Sequence, residues 1–531
     1  MTTARSCTGL LVFFLIATPL AIFSQGDTPY TYEEEQYRPH FHFSAKNNWI
    51  NDPNGMFFLN GTYHLYFQYH PFSNVWGPMH WGHATSSDLI HWEEQKIALY
   101  PDELGTIFSG SAVVDHHNRS GFGVQGKTPV VAVYTNHDHQ GEGSGRNDYQ
   151  TQSIAYSLDE GYHWVKYAQN PVLSNPDIPD FRDPKAFWDS ENDQWTMALA
   201  VKNVIQFYSS DDLKKWELRS EFGKDIGNHK GVWECPELFQ LPIAGTFDKK
   251  WVLLVSVNPG APNGGSGTQY FVGDWDGTHF NPDPDFTQSM SQTHNFWMDY
   301  GKDNYASVSF DNLPHPQGKR VVIGWMSNWE YARLLPTKQW KNQMTIAREL
   351  DLIPDGHTFR LRSQPTKNLY DNTTLKKTWE KPHFKEKAIL TNSQEVSLDR
   401  LLLKATLVPE ANQLYTWHLS SPAGDQLTFG YDQEKNEFFI NRSGLMIDSF
   451  SQDFAAQKQI VTRTAQHENI QIEVILDKTS IELFFDGGQT VLSALFFGKA
   501  PFDQLSLSST VQEVVLERLE LWEITSTSPK I

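Results

Sequence analysis

The sequence predicts an all-β protein, a five-bladed β-propeller followed by a C-terminal β-sandwich. Three observations carry this. Short runs rich in Val, Phe, Tyr and Trp alternate with Gly, Asn, Asp and Pro clusters, and helical periodicity is scarce. A polar cluster, an apolar strand, a turn and a second apolar strand recur five times. The aromatic content then falls, with fifteen of the 18 Trp lying before residue 350.

The elements follow in chain order. Residues 1–25 place Arg5 ahead of an apolar run, Leu10 to Phe23, and read as a secretory signal peptide too short to span a membrane comfortably. The propeller is expected over 38–355. Its five units open at Asn51-Asp-Pro-Asn-Gly, Ser109-Gly-Ser, Arg182-Asp-Pro, Glu234-Cys-Pro and Tyr305-Ala-Ser. In the first unit Asn60-Gly61 is a hairpin signal, because both central positions of that turn need φ > 0. Ser87-Asp-Leu-Ile-His-Trp92, Ser157-Leu-Asp-Glu-Gly-Tyr-His-Trp164 and Ser210-Asp-Asp-Leu-Lys-Lys-Trp216 read as turns into outer strands. Residues 356–372 are polar, contain Pro365 and read as a connector. In 373–531, Ile470, Ile472, Val474 and Leu476 alternate with polar residues, as in a half-exposed sandwich strand. No catalytic cluster is visible there.

Composition narrows the function. A chain of 531 residues with 39% hydrophobic and 20% charged residues is globular. Its net charge of −20 disfavours nucleic acid and anionic membrane as partners. Two Cys give no disulfide framework. Asn60, Asn118, Asn372 and Asn441 head four glycosylation sequons.

Several motifs carry no chemistry. Gly121-Phe-Gly-Val-Gln-Gly-Lys-Thr128 matches a phosphate loop in letters, but a strand follows where a helix is needed. His137-Asp-His139 and His116-His117 lack further ligands at metal-site spacing, so no metal is expected. The carboxylates are more informative. A propeller directs the starts of its innermost strands toward one axis, so Asp52, Asp183 and Glu234 converge. Asp52 and Asp183 precede Pro, and Glu234 has Pro two residues on, which stiffens each segment. Carboxylates crowded in an aromatic-lined pocket suit glycoside hydrolysis, which needs one group to protonate the leaving oxygen and another to attack or direct water. Trp49, Trp76, Trp81, Phe108, Trp233 and Trp329 supply aromatic surface nearby in sequence.

These residues carry a resemblance. Asn51-Asp-Pro-Asn-Gly55, Arg182-Asp-Pro184 and Glu234-Cys-Pro236, together with Phe108-Ser-Gly-Ser111 and Gly264-Gly-Ser-Gly-Thr-Gln-Tyr270, resemble the signatures of glycoside hydrolase family 32. The set is most similar to microbial levanases, exo-inulinases and invertases. Ile50, where many members have Met, is a minor departure. The resemblance implies retaining cleavage of β-D-fructofuranosides with no cofactor. It implies Asp52 as nucleophile, Glu234 as acid then base, and Asp183 with Arg182 as binders of fructose hydroxyls. Asn51, Pro53, Asn54, Gln68, Trp76, Phe108, Ser109, Arg182 and Trp329 would line the fructose pocket. A fructosyltransferase on the same fold and a catalytically dead carbohydrate-binding propeller are the alternatives.

Overall fold

The hairpin predicted at Asn60-Gly61 forms with φ of +50° and +86°, joining Asn48–Leu59 to Thr62–His70. This computed structural model describes residues 36–293, 296–385, 387–510 and 513–525. The expected signal peptide lies outside them.

Five antiparallel sheets make the N-terminal part. Their first strands are Asn48–Leu59, Thr106–Val114, Phe181–Asp189, Val232–Pro242 and Tyr305–Ser309. Each first strand contacts the next, and the fifth contacts the first, so the five surround one axis. Late in the chain, Trp340–Lys341 pairs in parallel with Asn48 and Trp49 and ties the ring shut. The recurring Ser-Asp elements form matching turns. Ser86 and Ser210 Oγ each accept a backbone N–H three residues on, at 2.9 Å, from Leu89 and Leu213, which sit at φ +66° and +63°. The indole N–H groups of Trp92 and Trp216 donate to the carbonyls of those leucines at 3.2 Å.

The expected connector needs correction. Thr358–Pro365 is the outermost strand of the fifth sheet and pairs along its length with Arg348–Asp355. Pro354-Asp-Gly356 is the turn of this hairpin, with Gly356 at φ +64°. The polarity that suggested a linker is that of an edge strand. Arg360 reaches Asp355, and Arg362 reaches Asp351 at 2.7 Å. Only a single helical turn, Lys367–Asp371, then separates it from the next strand, Thr373–Glu380.

The C-terminal part is two packed sheets. One is built on Leu401–Leu407, Ile470–Leu476, Ser480–Phe485 and Glu513–Ile524, the other on Leu414–Ser420, Gln426–Asp432 and Gln504–Ser509. Ile470, Ile472, Val474 and Leu476 are buried between them, as their alternation predicts. Arg442 crosses to the propeller. It donates to Asp303 at 2.8 Å and to the Tyr331 hydroxyl at 2.7 Å.

Asn60 and Asn118 lie on exposed turns, whereas Asn372 and Asn441 are half-buried. After Gly121–Thr128 comes the strand Val130–His137, not a helix.

Candidate active site

All five innermost strands break register at the same level. The pairing shifts between Ile50 and Pro53, Ile107 and Gly110, Arg182 and Lys185, Glu234 and Glu237, and Tyr305 and Val308. A β-bulge leaves residues out of the ladder and re-aims their side chains. Asp52, Ser109, Asp183, Cys235 and Ala306 fall within these breaks. Pro53, Pro184 and Pro236 lie within or at the edge of them, where a missing N–H costs the ladder little. Asp183, Cys235 and Ala306 are held at φ +64°, +47° and +51°, a strained region for residues with a side chain.

The bulges bring the three carboxylates together. Asp52 accepts from Asn51 Nδ2 at 3.0 Å and from Ser109 Oγ at 2.7 Å. Glu234 Oε1 accepts from Arg182 Nη2 at 3.0 Å, and its Oε2 accepts from the Tyr305 hydroxyl. Asp183 accepts the Cys235 backbone N–H at 3.1 Å. The Cys235 sulfur lies 3.7 Å from Asp52 and 3.6 Å from Asp183, so both aspartates touch one atom. Arg182 also pairs with Asp180.

Three carboxylates around one arginine are short of positive charge. Burial pushes the Asp183 carboxyl up to about 7; Arg182 opposes this, and Glu234 and Asp52 add to it. Burial likewise raises Asp52, and Glu234 adds to it, against the pull of its donors Asn51 and Ser109.

Aromatic rings flank the carboxylates. Trp329 stacks on Trp49 with centroids 6.0 Å apart, and the Trp49 indole N–H donates to Asn51 at 2.8 Å. Trp76 stands edge-on to Phe108 at 6.1 Å. Pro53, Asn54, Ser109, Asp183 and Cys235 line one small cavity. Gln68 stands behind it, its amide donating to Asn54 Oδ1 at 2.8 Å. Further along the same strands, Lys185 and Glu237 form a buried pair 2.8 Å apart, and Ser309 Oγ donates to Glu237 at 2.6 Å. Side chains from three strands thus fill the axis on that side. A separate cavity of 420 Å³, lined by Asn228, His229, Lys230, Gln269 and Trp297 among others, contains none of the carboxylates.

One contact, Tyr305 on Glu234, was missed from sequence. Tyr305 opens the fifth repeat unit, so its convergence on the axis was available from the same alignment that found Asp52. Trp81 and Trp233 instead pack in the core and are fully buried.

The structure adds Glu142 to the His137–His139 pair, with ligand atoms of all three within 4.8 Å of one another. The donor set nevertheless does not fit a metal. Gln150 Oε1 accepts the Phe181 N–H at 2.8 Å, so its Nε2 donates to His137 Nδ1 at 3.2 Å. His137 therefore carries its proton on Nε2, facing Glu142 at 3.1 Å, and offers no lone pair there. Its ring stacks on Phe108 at 4.2 Å and buttresses that side chain.

Comparison with known proteins shows the family. The model for the glycosyl hydrolases family 32 N-terminal domain matches residues 42–365, and that for the family 32 C-terminal domain matches 364–523. A levanase of Bacillus subtilis is 42% identical over 91% of this chain and 70% of its own length. An extracellular exo-inulinase of Aspergillus niger is 38% identical over 93% of this chain and 96% of its own. The solved fructofuranosidase of Schwanniomyces occidentalis, complexed with fructose, superposes with a TM-score of 0.80 at 32% identity, covering 92% of this chain and 99% of that one. The chain belongs to glycosyl hydrolase family 32.

Proposed function

We propose that this glycoside hydrolase is a secreted enzyme releasing terminal β-D-fructofuranosyl units from sucrose and fructans, with retention at the anomeric carbon. The observation that carries the reading is the meeting of Asp52, Asp183 and Glu234, with Arg182, at the bulged starts of the inner strands. Asp52 is the nucleophile. Its two donors, Asn51 and Ser109, orient the carboxylate and favour its anion. Glu234 is the general acid, protonating the leaving oxygen as Asp52 bonds to fructose C2 and the bond from C2 to that oxygen breaks. Water then cleaves the fructosyl-enzyme while Glu234 takes the proton back. Asp183 and Arg182 bind fructose hydroxyls and stabilise the positive charge that develops on the ring. Asn51, Pro53, Asn54, Gln68, Trp76, Phe108, Ser109 and Trp329 shape the fructose pocket, Gln68 through Asn54.

Cleavage is exo. The plugged axis leaves a pocket closed at its base, which accepts a chain end and not a chain middle. The relatives named levanase and exo-inulinase support fructans as substrates, and the extracellular relative supports secretion. Incubation with sucrose, inulin and levan tests the reading. Fructose is expected as the main early product from all three. A ladder of oligosaccharides preceding free fructose would establish endo cleavage, and no hydrolysis of any of them would overturn the proposal.

A further inference from the structure

Two aromatic walls flank Asp52. On one side Trp329 leans on Trp49, whose indole N–H holds Asn51. On the other Trp76 meets Phe108, the residue before Ser109. The outer members of both walls share one cation. The Arg333 guanidinium lies 5.5 Å from the Trp76 ring centre and 5.8 Å from that of Trp329.

Arg333 is exposed, and among the described residues none accepts its guanidinium N–H groups. This is unusual in a chain with 63 acidic and 43 basic residues, where a surface arginine readily finds a carboxylate. Its backbone is nonetheless held firmly. Ala332–Leu334 is a 3₁₀ turn, and Lys341 Nζ donates to the Arg333 carbonyl at 3.2 Å. Glu330 pairs with Lys302 at 2.6 Å, and the Tyr331 hydroxyl donates to Asp303 at 2.7 Å while accepting from Arg442. An anchored turn thus presents a guanidinium that rests against two indoles and has its donors free. That arrangement leaves in-plane N–H groups available for paired hydrogen bonds.

We propose that Arg333 is a specificity-determining residue that binds the sugar attached to the terminal fructose, through N–H bonds to its hydroxyls. The inference rests on the function proposed above. The leaving sugar must exit from the carboxylates between the walls, and Arg333 spans the outer ends of both. A hydroxyl-bearing leaving group can accept its N–H donors, and a methyl group cannot. Because the bonds form on binding and persist to the transition state, they act mainly on KM.

The test compares sucrose with methyl β-D-fructofuranoside in the wild type, Arg333→Leu and Arg333→Lys. Leucine keeps apolar contact with the indoles and removes the donors. The ratio of kcat/KM on sucrose to that on the methyl fructoside is expected to fall about tenfold in Arg333→Leu, chiefly through KM for sucrose. Arg333→Lys, with one compact donor group, is expected to fall between. Equal losses on both substrates would show that Arg333 only props the walls, and no change on either would show that it touches no substrate. Either result overturns the proposal. A wild type inactive on both fructosides would overturn the underlying function first, so the two failures are distinguishable.

Discussion

At the propeller axis Asp52, Asp183 and Glu234 meet beside one arginine, Arg182, which pairs with Glu234. At the junction with the sandwich Asp299, Asp477 and Glu482 share Arg348 and His42. Arg348 donates to Asp299 at 2.8 Å and to Glu482 at 2.9 Å, and His42 meets Asp477 and Glu482 at 2.8 Å each. Both clusters set two aspartates and a glutamate near an arginine, but the axial Arg182 and Glu234 are partly exposed, whereas the junction groups are buried and include the second cation His42. Their electrostatics are opposite. Asp52 and Asp183 are raised, whereas Arg348 and His42 hold Glu482 below its ordinary range, and His42 does the same for Asp477. Repulsion is tolerated where a proton must move and neutralised where domains must hold together.

The sharpest way to break this contrast is to neutralise one member of each cluster. Asp52→Asn keeps the shape but removes the anion proposed to attack, so turnover is expected to fall roughly 10⁴-fold or more. Stability is expected to hold or rise. The raised carboxyl means that the folded state disfavours the Asp52 anion above its unfolded pKa, and the amide removes that penalty. Arg348→Met does the reverse. It strands Asp299 and Glu482 without their cation, which costs about 3–5 kcal/mol. The folded fraction is expected to keep turnover within a few-fold of wild type. Denaturant midpoints and kcat for both variants check this. A destabilised Asp52→Asn, or a folded but inactive Arg348→Met, would erase the distinction.

A milder probe is pH. Burial opposes the His42 charge, but bonds to Asp477 and Glu482 outweigh it and carry the imidazole from 6.5 up to about 9. The stabilisation this supplies is fully present below pH 6.5 and is lost as pH rises through about 9. A shift of that size corresponds to ~3 kcal/mol. The melting temperature is expected to fall between pH 6.5 and 9.5, and His42→Gln is expected to flatten that slope from a lower starting value. An unchanged slope in His42→Gln would assign the loss to other groups.

The two clusters also differ in how much of them the sequence shows. The axial one is visible because the repeats place Asp52, Asp183 and Glu234 near the starts of inner strands, and three prolines mark where the ladder breaks. The bulges themselves are not, since an unpaired residue leaves no trace in an apolar pattern; Asp183 at φ +64° is a product of packing. The junction cluster is invisible for a different reason. His42, Arg348 and Glu482 come from three distant segments, and nothing local pairs them. The outer strand of the hairpin Arg348–Pro365 reads as linker because it is polar, and its pairing of Arg360 with Asp355 and Arg362 with Asp351 is not visible in the sequence.

The smallest expected effect lies at Cys235, which belongs to the axial cluster through its backbone more than its thiol. Its N–H donates to Asp183 at 3.1 Å, a bond that any residue but proline makes. Its sulfur, 3.7 Å and 3.6 Å from the two aspartates, is a weak donor to each. Cys235→Ala keeps the first bond and loses the second pair, so kcat is expected to fall only about two- to fivefold. The thiol should also be inert. Burial pushes it well above its ordinary range, Asp183, Asp52 and Glu234 push it further, and the side chain is buried. Cys235 adjoins Glu234, so a reagent that reached the thiol would inhibit, and its burial argues that none does in the native protein. Native enzyme treated with iodoacetamide at pH 8 is therefore expected to keep its activity and to take up the label only after unfolding. Rapid inactivation of the folded protein would mean that the thiolate forms beside three carboxylates, and the account of an axial cluster short of positive charge would fail with it.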